Sequence, residues 1–323
     1  MEGTGWADAH GDVLMDLAAR RARGERKVLA SRYLEGYESA GLRLLVCSLF
    51  VEDRLVPRAL PEALLQVGAL LEEQEETPGR FRLCRCREEL RETLERGELA
   101  LVLSLEGVEP LGRDLGLLRV LRELGVCLMG LTWSRRNEAA DGCVVEGTSP
   151  LRPGGLSPFG LDLVREAQRL GIVPDVSHLN DPGFEDVAAL GGLFLASHSN
   201  CRALLDHPRN LTDSQIRAVA ASGGVVGFNA HAPFVGGDGD PCDRMLRHLE
   251  HLVEVGGPDH AALGLDLCDP FFALAGEQPK DLFRSHEEAA RCRGRLVERF
   301  GPHTTRKILR DNLVRVVEAA LPD

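Results

Sequence analysis

Eight short apolar runs recur along the chain, each of strand length and each followed by a stretch with helical spacing. They are Trp6–Asp12, Leu42–Phe50, Ala100–Glu106, Cys127–Trp133, Ile172–His178, Leu193–Ser199, Gly224–Asn229 and Ala261–Leu267. Polar residues seldom alternate within them, which suits strands buried on both faces of a parallel sheet. Between them, Leu163, Val164, Ala167 and Leu170 share one face of Phe159–Leu170, and Met245, Leu249, Leu252 and Val253 share one face of Asp243–Val255. Ser157-Pro158 and Thr212-Asp213 read as helix starts. Strand–helix alternation repeated eight times predicts an α/β fold, a (β/α)8 TIM barrel spanning residues 1–323 as one domain. A doubly wound sheet would want a Gly-rich phosphate loop after its first strand, and the sequence has none. Insertions are expected at Arg135–Pro158 and Asp269–Ser285, which follow strands and so belong to the catalytic face.

Charge narrows the partners. With 38 Lys+Arg against 50 Asp+Glu the net charge is −12, which argues against nonspecific nucleic-acid binding. The nine cysteines are scattered without a C-x-x-C pair and read mostly as small buried thiols of a reducing compartment. The start shows no basic segment followed by an apolar one, and the longest apolar run, near Leu44 to Val51, is too short to cross a bilayer. A cytoplasmic protein with no membrane partner is expected.

Chemistry concentrates where the strands end. His10 and Asp12 close the first run, Glu106 the third, His178 the fifth, His198 the sixth, and Asp266 falls near the end of the eighth. In a barrel these ends converge on one mouth, where catalytic residues belong. Three imidazoles and three carboxylates exceed what one tetrahedral ion needs, so they point to two divalent ions sharing a bridging group. Only Lys27, Lys280 and Lys307 occur and none sits at a strand end, which leaves Glu106 rather than a carbamylated lysine as the natural bridge.

The stretches Asp8-Ala9-His10-Gly11-Asp12, Leu105-Glu106-Gly107, Asp175-Val176-Ser177-His178, Ala196-Ser197-His198-Ser199-Asn200, His207-Pro208-Arg209-Asn210-Leu211 and Leu263-Gly264-Leu265-Asp266 occur in an order that resembles the renal (membrane) dipeptidase family, peptidase family M19. The resemblance runs nearly end to end, through Gly154-Gly155-Leu156-Ser157-Pro158-Phe159-Gly160 to Ile308-Leu309-Arg310-Asp311-Asn312-Leu313. It implies that His10 and Asp12 hold one Zn²⁺, that Glu106 bridges to a second held by His178 and His198, and that Asp266 lies by the first ion and handles the proton of a bridging water. Arg209 resembles the family's arginine for the substrate's free carboxylate, a role that suits the two-point geometry of a guanidinium. Relatives of this kind are often homodimers, so a homodimer is among the assemblies the resemblance suggests.

One departure stands out. Where mammalian members carry Leu-Thr-His, this chain reads Leu131-Thr132-Trp133, followed by Asn137 and Asp141 in the family manner. Trp133 can pack a substrate side chain and donate one N–H but cannot carry positive charge. Trp133 and Asn137 are therefore expected to touch substrate, with His231 as a conceivable stand-in for the missing imidazole and a structural role as its alternative. His248 and His251 fall on an outer helix, where packing or surface roles are expected. Ser104, Ser177 and Ser199 lack a G-x-S-x-G elbow.

The expected activity is a metal-dependent dipeptidase that cleaves dipeptides bearing a free C-terminal carboxylate, using a hydroxide held between two zinc ions. Zn²⁺, Co²⁺ and Mn²⁺ all suit nitrogen and oxygen ligands. The alternatives are another hydrolase on the same barrel, acting on N-acyl-amino acids or lactones, and a degenerate barrel without catalysis.

Overall fold

The computed structural model describes residues 5–143, 153–268 and 280–323. The expected insertions fall partly on residues 144–152 and 269–279, outside the described residues.

The backbone of the fold is a curled parallel sheet. Strands β1 (Trp6–Gly11), β2 (Leu42–Phe50), β4 (Leu99–Glu106), β5 (Val126–Gly130) and β6 (Val173–Asp175) pair in that order. A short β3 (Phe81–Leu83) adds to the first half of β4, and β7 (Val226–Phe228) pairs in parallel with β8 (Ala261–Leu263). The sixth apolar run closes the gap between these sheets. It forms no long strand, but Leu195 bridges to Asp175 and Ala196 to Val226, both in parallel. Ser199 N–H then donates to Gly227 O at 2.7 Å. A side chain at Gly227 or Gly264 would overlap the Ser197 carbonyl, so glycine lets the last three strands lie this close. From β8 back to β1 the seam is made by a side chain: Asp8 accepts the Leu265 N–H at 2.9 Å. The α/β barrel expected from the apolar runs is the observed architecture.

Each strand is buried for the reason its sequence suggests. All eight residues of β4 are buried, and β2 exposes only its edges. The helices start where capping residues stop the strands' loops. Ser157 accepts the Gly160 N–H ahead of α6 (Pro158–Arg169), with Pro158 in the first turn. Asn180 does the same for α7 (Asp181–Leu190). Thr212 and Gln215 form a reciprocal capping box on α8 (Asp213–Ala221), and Asp240 caps α10 (Pro241–Gly256). Earlier helices include α1 (Val13–Ala22) and α3 (Ala59–Glu76), and the chain ends in α13 (Asn312–Ala320). No described helix is long and apolar enough to cross a membrane.

The cysteines differ from expectation at one point. Cys242 at the start of α10 and Cys292 are joined as a disulfide with Cα atoms 5.5 Å apart, while the other seven are free. Scattered spacing could not reveal a pair formed by two helices that meet only in the fold.

Candidate metal centre

Every strand-end residue singled out from the sequence lies at one mouth of the barrel. His10 is the fifth residue of β1 and Asp12 follows that strand, Glu106 ends β4, His178 follows β6, His198 lies in the sixth apolar run after the Leu195 and Ala196 bridges, and Asp266 follows β8. Their side chains converge. His10 Nε2 lies 3.6 Å from Asp12 Oδ1, 3.8 Å from Asp266 Oδ1 and 3.5 Å from Glu106 Oε2. The other Glu106 oxygen, Oε1, faces His178 Nε2 at 3.2 Å and His198 Nε2 at 3.8 Å. One carboxylate thus turns one oxygen to each group of ligands, which is the disposition a bridging ligand requires.

Two observations test whether cations fit. The Nε2 atoms of His10 and His198 are buried and have no hydrogen-bond partner, although buried polar atoms are rarely left unpaired. Two triads, His10–Glu106–His198 and His10–Asp12–Asp266, also bring their donor atoms within 4.8 Å of one another. The donors are imidazole nitrogens and carboxylate oxygens, a set that suits zinc and its divalent neighbours. The residues fit the ions.

The surroundings fix which ring nitrogen faces the centre. Ser197 donates its hydroxyl to Asp175 Oδ2, so its oxygen is left to accept from His198 Nδ1 at 2.7 Å. Asp175 also accepts the Ser177 and Ser197 N–H groups, both at 2.9 Å. On the other imidazole, Ser134 Oγ lies 2.8 Å from His178 Nδ1. The His198 ring thereby presents an unprotonated Nε2, the tautomer a metal needs, and the Ser134 hydroxyl can favour the same tautomer at His178 by accepting from Nδ1. Ser48 donates to Asp12 Oδ1, and the Cys268 thiol lies 3.4 Å from Asp12 Oδ2 and 3.3 Å from Asp266 Oδ1. Asp175, Ser197 and Ser134 were not singled out from the sequence as site residues. Ser197 precedes His198 and Asp175 lies three residues before His178, while Ser134 is near no ligand in the sequence and carried no signal there.

Electrostatics divide the centre. Burial lowers His178 and His198 well below the ordinary histidine range, aided by nearby Arg209 and His10, and keeps both neutral. Burial also disfavours charge on His10, but Glu106 and Asp12 outweigh it and raise its pKa. Burial, with repulsion from Asp12, pushes Glu106 up to about 7, and burial pushes Asp266 up to about 6. Two ligand-bearing residues also sit in left-handed backbone, His178 at φ 65° and Asp266 at φ 55°. Non-glycine residues adopt that region at a cost of about 1–3 kcal/mol, and it concentrates at working sites.

Arg209 is 2% exposed and faces no carboxylate within ion-pair distance among the described residues. It donates to the His198 carbonyl at 2.9 Å and to Ser199 Oγ at 3.3 Å, its Nε–H has no partner, and it lies over the Phe234 ring at 5.5 Å. Trp133 stands beside the centre, its ring 5.9 Å from His178 and 5.4 Å from Phe50, with the Arg135 guanidinium 5.5 Å away.

Other candidates are placed elsewhere. The Asn137 amide is engaged in its own loop, donating to Leu131 O and accepting from Ala139 N and Ala140 N. That arrangement shapes the segment after Trp133 and leaves one Nδ2 hydrogen of the amide available to a further acceptor. His231 Nδ1 is 3.3 Å from Asp281 Oδ1, and it joins neither triad. His248 is buried between Cys201 N–H and Val235 O, where burial lowers its pKa to about 4. His251 pairs with Asp213 at 2.7 Å.

Against known proteins, the profile described as membrane dipeptidase (peptidase family M19) matches residues 1–321. The chain belongs to this family. An uncharacterized protein in the pqqA 5' region of Klebsiella pneumoniae is 38% identical over 201 residues, 58% of this chain and 72% of that protein. Dipeptidase verJ of Clonostachys rogersoniana is 28% identical over 61% of this chain, and the match spans only 50% of that protein. Among solved structures, an M19 metallopeptidase described as a dipeptidase is 28% identical with a TM-score of 0.88, covering 100% of both chains. A Rhodobacter sphaeroides metallopeptidase, solved with a phosphinate mimic of the dipeptide L-Ala-D-Ala, is 27% identical with a TM-score of 0.85 over 99% of this chain and 100% of that one. The M19 barrel is thus shared along the whole chain.

Proposed function

We propose that the chain is a binuclear zinc dipeptidase, one catalytic unit over residues 1–323, that hydrolyses dipeptides with a free C-terminal carboxylate. Arg209 is the observation that carries this reading. A buried guanidinium without an anion is costly. Its place beside His198 supports an acidic group of the substrate as the missing partner, held by a charge-assisted pair of hydrogen bonds. The dipeptide mimic bound by the Rhodobacter relative is consistent with that choice.

The roles follow from the chain's own groups. His10 and Asp12 would hold one ion and His178 and His198 the other, with one Glu106 oxygen turned to each. When bound, the ions supply Lewis acidity for the scissile carbonyl and lower the pKa of water toward ~7. Asp266 beside them would take a proton from the attacking water and return it to the leaving amine. Trp133 and Phe50 form an apolar wall on the His178 side that shields the centre and packs a substrate side chain. Nothing in this assignment needs the imidazole that Trp133 replaces.

A hydrolase of N-acyl-amino acids would also present a carboxylate to Arg209, so the test must separate the two. Amine release is measured from L,L- and L,D-dipeptides, including L-Ala-D-Ala, with carboxyl-amidated and N-acetylated controls. Turnover of free dipeptides that is lost on amidation and on chelation supports the proposal. Turnover confined to N-acetylated compounds replaces it with the acyl-amino-acid reading.

A further inference from the structure

The carboxylate assigned above as the base is held by a chain of amides that leads to the arm carrying Arg209. Asn229, just past β7, donates through Nδ2 to Asp266 Oδ2 at 3.0 Å. The orientation of its amide is fixed by its neighbour: Asn229 Oδ1 accepts the His231 N–H at 2.6 Å, so the NH2 must be the end that faces Asp266. Asn229 is itself gripped on both backbone groups by one side chain. Asn200 Oδ1 accepts the Asn229 N–H at 3.1 Å, and Asn200 Nδ2 donates to Asn229 O at 2.9 Å. Asn200 and Asn229 are buried in the barrel mouth, at 0% and 1% exposure, and the Asp266 side chain is 14% exposed.

The same network seats the arginine. Asn200 O accepts the Leu211 N–H at 2.8 Å, which fastens the far end of the 200–211 arm. Asn200 and Asn210 both donate to the Phe234 carbonyl, at 3.4 and 2.9 Å, and the Phe234 ring lies under Arg209. A residue that touches neither substrate nor ligand thus spans the distance between the carboxylate grip and the base.

We propose that Asn229 is a positioning residue for Asp266, supplying the N–H that aims its carboxylate, and that Asn200 holds Asn229 and ties that aim to the Arg209 arm. The proposal deepens the dipeptidase reading and rests on it for the identity of the reaction. The left-handed backbone of Asp266 fits this role, because a strained residue keeps its place only when neighbours over-determine it. Without the amide, Asp266 retains the Cys268 thiol at 3.3 Å on its other oxygen and is free to turn.

Three variants of the full zinc-loaded chain test the idea: Asn229→Ala, Asn229→Asp and Asn200→Ala. Asn229→Asp keeps the size and the acceptor for His231 N–H but replaces the N–H donor by an oxygen. Bound metal is counted, kcat and KM are measured on a dipeptide the wild type cleaves, and d–d spectra of the cobalt-loaded proteins are recorded without substrate. Expected for both Asn229 variants are full metal content, KM within about threefold, kcat lower by about 10- to 100-fold, and an altered cobalt spectrum. Asn200→Ala lowers kcat less, and combining it with Asn229→Ala adds little because both act through one contact. Wild-type kcat in Asn229→Asp overturns the proposal, as does a loss explained wholly by missing metal. A wild type inert on every dipeptide sinks the dipeptidase reading instead. The positioning claim is then decided by the cobalt spectrum, and an unchanged spectrum in both Asn229 variants overturns it.

Discussion

Arg209→Met separates function from stability at one residue. The guanidinium carries five N–H donors, and the protein offers it the His198 carbonyl, Ser199 Oγ and the Phe234 face, with Nε–H left over. Methionine has similar length and no charge. Replacing buried ionic groups by apolar ones of similar volume stabilises folds by roughly 1–4 kcal/mol. For 323 residues the unfolding entropy at the melting point is about 0.7 kcal/mol/K, so Tm should rise by about 2–6 °C. Activity should move the other way. Loss of a two-point charge-assisted contact, at about 1.5–3 kcal/mol per bond, lowers kcat/KM on free dipeptides by about 10²- to 10⁴-fold. Carboxyl-amidated dipeptides, which never used the contact, should be cleaved at their wild-type rate. The assay pairs calorimetry of the zinc-loaded variant with kinetics on the matched substrates. A lower Tm together with equal losses on both substrates would refute the reasoning and make Arg209 a structural residue.

Three further outcomes are expected. Ser197→Ala removes the acceptor behind His198 Nδ1 and should weaken zinc binding by about 10- to 100-fold, read by chelator competition, while Ser199→Ala does much less. Divalent ions bind the charged forms of Glu106 and Asp266, whose pKa values lie near 7 and 6 in the ion-free chain. Zinc affinity should therefore rise with pH through about 6–7 and go on rising above that range as His10, whose pKa is also raised, gives up its proton, with proton release seen by calorimetry in two buffers. The same raised values favour the ion-free fold below pH ~4, and that contribution is lost as pH rises through about 7, so melts of the stripped protein should show it. Reducing the Cys242–Cys292 bond, which closes a separation of 50 residues, should cost about 4 kcal/mol and about 6 °C in Tm, whereas Cys84→Ala should leave the effect of reductant unchanged.

The barrel was legible because buried parallel strands read as unbroken apolar runs, and Leu42–Phe50 falls where its run predicts. The sixth apolar run, Leu193–Ser199, was legible but is tied to its neighbours at few points, through Leu195, Ala196 and the Ser199 N–H, while Ser197 and His198 turn their side chains to the site. The run of β3 was too short to register at three residues. Ligand candidates stood out because charged side chains at the ends of buried strands conflict with local apolar pattern. Asn137 is harder to read: polar loop residues serve their own backbone as readily as a ligand, and sequence does not say which. The Asn200–Asn229 link and the Asp175–Ser197 link join segments far apart in the chain, and only the fold puts them in contact.

The charges of the centre bear on how many ions it takes. Asp12, Glu106 and Asp266 are three carboxylates in one barrel mouth, His178 and His198 are held neutral, and Arg209 is a buried cation nearby with no ion pair among the described residues. One divalent ion would leave the carboxylates in excess, and that negative field would oppose an anionic substrate and the oxyanion that forms during hydrolysis. Two would turn the local balance positive by one charge before Arg209 is counted. Glu106 is the residue most affected by the difference, since its two oxygens face separate imidazole groups and its proton is the first that two cations would expel. Zinc stoichiometry in Glu106→Gln therefore reports on the bridge itself: loss of the second equivalent supports a shared Glu106, and two equivalents retained at wild-type affinity would argue against it.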